Sequence, residues 1–86
     1  MKEELLRVCK FGNLAKVKEL LDDGVDASDY YNLSIKWASE NGHTEIVKLL
    51  LQDKRVDPSY NDNYAIQHAS YNGHSEIMKL LLKDPR

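Results

Sequence analysis

Three histidines and one cysteine are the residues of this 86-residue chain best suited to metal binding, proton transfer or nucleophilic attack. Histidine binds metals and titrates near neutral pH, and a cysteine thiolate is a nucleophile. His43 and His74 each follow a glycine, and the two Gly-His pairs are 31 residues apart. A residue that recurs once per sequence repeat normally serves the fold. We therefore expect His43 and His74 to be structural.

The remaining candidates do not combine into an active site. His68 aligns with Trp37 of the preceding copy, which favours a role in helix packing over metal ligation. Cys9 aligns with Ser39 and Ser70, small residues expected to face a neighbouring helix, so we expect a packed thiol. The sequence contains no zinc-type cluster of Cys, His and carboxylate residues and no glycine-rich phosphate loop. We predict no enzyme activity, no metal and no cofactor.

The chain contains three copies of one sequence pattern. The segments 40–51 and 71–82 match at most positions, reading ENGHTEIVKLLL and YNGHSEIMKLLL. A weaker copy, KFGNLAKVKELL, covers 10–21. A repeat period of roughly 20–50 residues is typical of stacked-repeat folds, in which each unit buries its apolar face on the next. We divide this single domain, residues 1–86, into repeats 1–24, 25–55 and 56–86.

Each copy is predicted to contain two short helices, a glycine turn between them, and a turn-rich linker. In the middle copy Ile35, Ala38 and Ser39 fall on one face of the first helix, and Gly42 ends it. The second helix carries a wide apolar stripe that a lone helix pair could not bury. The linkers, 22–32 and 53–63, are rich in Asp, Asn, Ser and Tyr, as turns are.

Composition excludes several functional classes. A net charge of −2 with interleaved lysines and acids leaves no basic surface for nucleic acid or anionic lipid. No segment approaches the roughly 20 apolar residues that cross a bilayer, and the first residues lack the apolar core of a secretory signal. A single cysteine excludes an intrachain disulfide and fits a reducing compartment. We expect an intracellular protein that binds neither membranes nor nucleic acid.

The order of helix, glycine turn, longer helix and turn-rich finger resembles the ankyrin repeat over essentially the whole chain. GHTEIVKLLL at 42–51 is similar to the family's G-H-x-E-I-V-x-L-L-L, and the first helices have Ile and Ala where the family has Leu and Ala. The family's T-P-L-H is replaced by LSIK at 33–36 and YAIQ at 64–67, and the usual period of about 33 is shortened. This variant looks like the divergent arrays of giant DNA viruses and amoebae.

The resemblance implies an all-α fold, an ankyrin-repeat solenoid of about three helix-turn-helix units with short hairpin-like finger loops. Repeat 1–24 is interpreted as an N-terminal capping repeat, because no finger precedes it and its outer face is charged. Repeat 56–86 keeps the apolar pattern of an internal repeat. We therefore interpret it as uncapped.

The family's geometry implies a non-enzymatic module that binds a protein or peptide partner, with no small-molecule substrate. Finger tips and the outer sides of the first helices would line one concave face. The residues implied at that face are Lys10, Phe11, Asp29, Tyr30, Asn32, Lys36, Glu40, Tyr60, Asn61, Asn63, Gln67 and Tyr71. Because Tyr supplies large contact area at little entropic cost, we favour Tyr30, Tyr60 and Tyr71 as the principal contacts.

Two alternatives stay open. In the first, the uncapped repeat self-associates into a homodimer through Ile77, Leu81 and Leu82. In the second, the 86 residues are the N-terminal fragment of a longer ankyrin array. A mass that rises with protein concentration would distinguish the homodimer from a monomeric binding module.

Overall fold

The computed structural model describes the backbone of residues 2–26 and 29–85. The side chains at 2, 29–31 and 60–62 lie outside the described part. Within these residues the chain forms α-helices and no strand. The helices are α1 (Lys2–Phe11), α2 (Leu14–Asp22), α3 (Asp29–Glu40), α4 (Thr44–Leu51), α5 (Tyr60–Tyr71) and α6 (Ser75–Lys83).

The helices pair in chain order and the pairs stack in two layers. α1 packs on α2, α3 on α4 and α5 on α6, so each predicted repeat contains one helix pair. Between pairs, α3 lies between α1 and α5 in one layer, and α4 lies between α2 and α6 in the other. The outer surface of the α1, α3 and α5 layer is therefore continuous across all three repeats.

The turn inside a pair depends on a glycine in the left-handed conformation. Gly42 has φ +78°, and beyond it the His43 N–H donates to the Ala38 carbonyl at 2.9 Å. That hydrogen bond satisfies a carbonyl that the end of α3 would otherwise leave without a partner. A Cβ in this conformation costs roughly 1–2 kcal/mol, which explains why glycine occupies the position.

One apolar core runs between the two layers and through all three pairs. Its most enclosed large side chains are Leu5, Val17, Ile35, Ile46, Val47, Leu50, Val56 and Ile77. Ala38 and Ala69 are also fully buried, and their small side chains allow the neighbouring helices to approach closely. No single pair could enclose this stripe, so the stacking that buries it also stabilises the short helices.

α3 and α5 begin earlier than the sequence pattern predicts. The predicted linkers 22–32 and 53–63 extend too far, because their last four residues form the first turns of these helices. Asn32 and Asn63 lie in these turns with φ +60° and +63°, a conformation that Asn tolerates better than most residues. The sequence pattern correctly identified residues of the turn-forming type. At Asn32 and Asn63, however, the left-handed residue lies inside a helix and does not end it.

Two matched glycine substitutions test the packing between pairs. We expect Gly42→Ala to lower the free energy of unfolding more than Gly73→Ala. Both residues have positive φ, so each variant loses roughly 1–2 kcal/mol to backbone strain. Only at Gly42 would the added Cβ also meet another residue, the His74 imidazole at 2.8 Å, and overpacking costs a further 1–3 kcal/mol or so.

Urea unfolding of the parent and the two variants measures both losses. At Gly73 a Cβ would meet nothing within 4 Å, so this variant reports the strain alone. Equal losses in the two variants would contradict the contact between the second and third pairs.

Candidate functional site

The exposed side of α1, α3 and α5 carries a row of alternating aromatic and lysine side chains. Lys10 Nζ lies 5.8 Å from the Phe11 ring centroid and 5.2 Å from that of Trp37. Lys36 Nζ lies 5.8 Å from the Trp37 centroid and 5.2 Å from that of Tyr64. At these distances the negative face of a ring attracts an ammonium group. We call these five residues the aromatic-lysine ladder.

Stacking and ionic contacts hold the α5 end of the ladder in place. Tyr64 stacks on His68 with ring centroids 4.1 Å apart and an interplanar angle of 22°. His68 Nδ1 lies 2.8 Å from Glu40 Oε2, and the same carboxylate lies 3.7 Å from Lys36 Nζ. These contacts join α3 to α5 across the surface. His68 therefore takes part in helix packing, the role that the sequence favoured.

An open cleft lies beside the ladder between α3 and α5. It has a volume of about 450 Å³ and is lined by Glu40, Asn41, Gln67, His68, Tyr71 and Asn72. Tyr71 stands at its edge with 91% of its surface exposed. A shallow polar cleft of this kind fits a side chain of a larger partner better than an enclosed small molecule.

A second hollow, of about 310 Å³, lies at the α1 end of the ladder. The residues that line it are Glu3, Leu6, Arg7, Lys10, Phe11 and Trp37. Phe11 is 71% exposed, so the ladder ends in water at an apolar ring. The surface thus has a hollow formed partly by the α1 end of the ladder and a cleft beside the ladder between α3 and α5.

Six of the predicted partner-binding residues lie on this surface. Lys10, Phe11 and Lys36 belong to the ladder, and Glu40, Gln67 and Tyr71 line the cleft. These six residues belong to α1, α3 and α5. Their role in binding stays a prediction.

The remaining predicted contacts lie elsewhere or outside the described residues. Asn32 is only 8% exposed, because its Oδ1 accepts a hydrogen bond from the Asp57 N–H at 2.8 Å. It joins two repeats and has little surface to offer a partner. Asn63 is exposed but lies at the C-terminal face, beside Leu82. The side chains of four others lie outside the described residues: Asp29, Tyr30, Tyr60 and Asn61.

Sequence reasoning missed Trp37 and Tyr64 as members of the surface. Neither residue is among the contacts that the sequence predicted. The spacing of residues on each helix gave a partial signal. Lys36 and Glu40 on α3, like Tyr64 and His68 on α5, are four residues apart and so lie on one helix face. The contacts between Lys36 and Tyr64, which belong to different repeats, could not be read from that spacing.

The periodic histidines make the same contact in successive repeats. His43 Nε2 lies 2.8 Å from the Lys10 carbonyl oxygen, and His74 Nε2 lies 2.9 Å from that of Glu40. Because a carbonyl only accepts, both rings donate from Nε2. This is the structural role expected from their spacing. Among the described residues, no group of three His, Cys, Asp or Glu side chains could hold a metal ion.

Cys9, a residue of α1, is fully buried, and its thiol contacts Ser34 of α3. Burial raises the pKa of its thiol to about 12, and a hydrogen bond with Ser34 offsets a small part of that rise. A thiol with this pKa is protonated at neutral pH and is a poor nucleophile. The geometry agrees with a packed thiol.

Thiol chemistry tests this environment. The ordinary and shifted pKa values, 9.0 and about 12, make the folded thiol roughly a thousandfold less ionised than the unfolded one at pH 8. We expect a thiol reagent to modify Cys9 in the native chain at least about a hundredfold more slowly than in urea. Comparable rates would show that the thiol is accessible.

The same shift predicts a loss of stability in alkali. The raised pKa means that the folded state keeps the thiol protonated to a higher pH than the unfolded state does. The contribution of this difference to the free energy of unfolding is complete below about pH 9 and is lost as pH rises toward 12. Cys9→Ala should remove this part of the pH dependence, because alanine does not titrate. Unfolding curves between pH 8 and pH 11 measure it, and identical slopes for parent and variant would contradict it.

The residues predicted for self-association are mostly inside the core. Ile77 and Leu81 are buried, whereas Leu82 is 70% exposed. Leu82 is therefore the most accessible of the three, Leu81 contributes to the wall of a surface hollow, and Ile77 is fully enclosed. In the part of the chain that the structure describes, no helix has the length and apolar character needed to span a bilayer.

Comparison with known families decides which class of repeat this is. The family model described as ankyrin repeats (3 copies) matches residues 5–86. The chain belongs to the ankyrin repeat family. The predictions of an ankyrin repeat protein and of an all-α repeat solenoid are thereby confirmed. No curated protein and no solved structure matches it.

Ankyrin repeats are generally protein-protein interaction modules, and domains built from them are typically non-enzymatic. The family thus gives the general class of function. It does not choose among the surfaces of this chain.

Proposed function

We propose that this ankyrin repeat domain binds a protein or peptide, without catalysis, through the aromatic-lysine ladder and the cleft beside it. The observation that carries the proposal is the exposure of two aromatic side chains, Phe11 and Tyr71, at opposite ends of one surface. Neither ring contributes to the core. Large aromatic side chains bury much apolar area on association and dominate the energetics of many interfaces.

The ladder is also held in place before a partner arrives. Trp37 has a lysine on each side, and Tyr64 has Lys36 and His68. Side chains that already occupy fixed positions lose less entropy when they bind. A partner would therefore meet ordered rings in the middle of the surface and exposed rings at its ends.

Charge suggests which partner residues fit the α1 end. Lys10 Nζ contacts the rings of Phe11 and Trp37. Arg7 lines the same hollow, so two basic side chains face one carboxylate there, that of Glu3. We infer that the partner is an extended peptide segment with an acidic residue near Lys10 and an apolar or aromatic residue between Phe11 and Trp37.

Peptide selection with a fluorescence readout tests this proposal. Trp37 is the only tryptophan, so its emission reports occupation of the ladder directly. Short peptides selected from a displayed random library against the parent chain are the probe. We expect Tyr71→Ala to weaken their binding about tenfold or more, a loss typical of an exposed aromatic contact.

Lys79→Ala is the matched control, because this side chain is 70% exposed on α6 and away from the ladder. It should leave the affinity unchanged, and both variants should unfold at nearly the same urea concentration as the parent. Peptides that bind Tyr71→Ala and the parent equally, with no change in Trp37 emission, would place the binding surface elsewhere.

A further inference from the structure

The cleft between α3 and α5 is lined by two asparagine side chains whose donors are already used. Asn41 Nδ2 lies 3.0 Å from the Trp37 carbonyl oxygen and 3.3 Å from that of Lys10. Asn72 Nδ2 makes the equivalent contacts one repeat later, at 3.0 and 3.3 Å. A side-chain amide has two N–H groups, and two carbonyls occupy them. Each asparagine therefore offers its Oδ1 atom, which only accepts, to a bound group.

The imidazole in the wall of the cleft is also an acceptor. His68 Nδ1 lies 2.8 Å from Glu40 Oε2. Because a carboxylate oxygen only accepts, the proton of the neutral ring lies on Nδ1. The other ring nitrogen, Nε2, then carries a lone pair. The neutral His68 ring thus adds an acceptor to those of the two asparagines.

The carboxylate of Glu40 gives the cleft a negative charge that a partner can reach. Its side chain is 32% exposed, and its contacts with His68 Nδ1 and with Lys36 Nζ, at 3.7 Å, are made through Oε2. The Lys36 ammonium is shared with the rings of the ladder. A partly exposed ion pair of this length contributes little free energy, so a cation of better geometry can compete for the carboxylate.

Two helix C-termini also end at the cleft. Glu40 and Tyr71 are the last residues of α3 and α5, and Asn41 and Asn72 follow them. All four line the cleft. The negative end of a helix dipole lies at its C-terminus and favours a cation there. The carboxylate, the amide oxygens and the two helix ends therefore all favour a bound group that is positively charged and rich in donors.

Tyr71 adds an aromatic face to these acceptors. Its side chain is 91% exposed at the edge of the cleft. Each ring of the ladder has a lysine ammonium 5.2–5.8 Å from its centroid, whereas no ammonium of the described residues lies over Tyr71. The Tyr71 ring can therefore accept a cation that a partner brings.

We propose that the cleft binds an arginine side chain of the peptide partner, between the Glu40 carboxylate and the Tyr71 ring. This inference rests on the proposed function, because it names the residue that the same surface recognises. The guanidinium donates to the carboxylate and to an amide oxygen beside it, and its plane stacks on the tyrosine. It has five N–H donors and no acceptor, which matches a cleft whose polar groups accept.

Other side chains fit this cleft less well. Lysine is a strongly hydrated point charge that can neither pair with a carboxylate in a bidentate manner nor stack its head group on a ring. An acidic side chain would face the Glu40 carboxylate and the negative ends of two helices. An apolar side chain would leave the acceptors without partners.

The arginine also fixes where the rest of the peptide lies. Lys10, which we expect to meet an acidic residue, contacts rings of α1 and α3, whereas the cleft lies between α3 and α5. The two positions are thus one helix spacing apart, about 8–10 Å for packed helices. An extended peptide covers that distance in roughly three residues. We expect the acidic residue and the arginine to be about three positions apart.

A double-mutant cycle tests the proposal on peptides selected from the displayed library. In the peptide, citrulline replaces arginine, which keeps the shape and removes the charge. In the chain, Glu40→Gln does the same for the carboxylate. Trp37 emission gives the four affinities. We expect citrulline to weaken binding to the parent about tenfold or more, and to weaken binding to Glu40→Gln much less.

Glu76→Gln is the matched control, because Glu76 also lies near a lysine, Lys79 at 3.9 Å, but belongs to α6. Its citrulline penalty should equal that of the parent. Tyr71→Leu carries the test if Glu40→Gln fails to fold, because a side chain that is 91% exposed does not support the core. We expect this variant to lower the preference for arginine over citrulline about threefold, the loss of one exposed cation–π contact.

Three results would overturn this inference and leave the proposed function intact. They are selected peptides that bind the ladder without an arginine, peptides that bind equally well when lysine replaces their arginine, and a citrulline penalty that is the same in the parent and in Glu40→Gln. Peptides that bind Tyr71→Ala and the parent equally, with no change in Trp37 emission, would instead overturn the proposed function and this inference together.

Discussion

The structure depends on a hydrogen bond from a histidine ring to a carbonyl at the end of the first helix of the preceding repeat. The last carbonyls of a helix have no partner within it, so α1 and α3 each end with acceptors. His43 and His74 supply donors from the next repeat and fill the space above a glycine. One contact therefore satisfies a helix end, requires the glycine and sets the spacing between repeats.

That fixed spacing makes the ladder. Because α1, α3 and α5 lie side by side, Lys10 of one repeat reaches the ring of Trp37 in the next, and Lys36 reaches Tyr64. The buried contacts between pairs thus position the exposed surface. Loss of the His43 or His74 hydrogen bond would move the lysines relative to the rings, so the binding surface that we propose depends on packing several residues away from it.

The sequence predicted the features that recur in every repeat and missed several contacts that do not recur. Recurring Gly-His pairs and apolar stripes predicted the turns, the helix pairs and the structural histidines, since each copy obeys the same local rules. The ladder combines Trp37 and Tyr64, which occupy different positions in their repeats, so no periodicity pointed to it. Asn32 was missed as a link because its partner, the Asp57 N–H, lies in another repeat. The ladder and the Asn32 contact both depend on how the repeats stack, and a local sequence pattern does not predict that geometry.

Nuclear magnetic resonance of the histidine rings tests the central claim most directly. Long-range correlation of ring protons and nitrogens identifies the nitrogen that carries the proton. At a pH where the rings are neutral, the account predicts that His43 and His74 both carry it on Nε2 and that both protons exchange slowly with water. Rings protonated on Nδ1, or averaged between the two forms with fast exchange, would show that the repeats are not joined in this way.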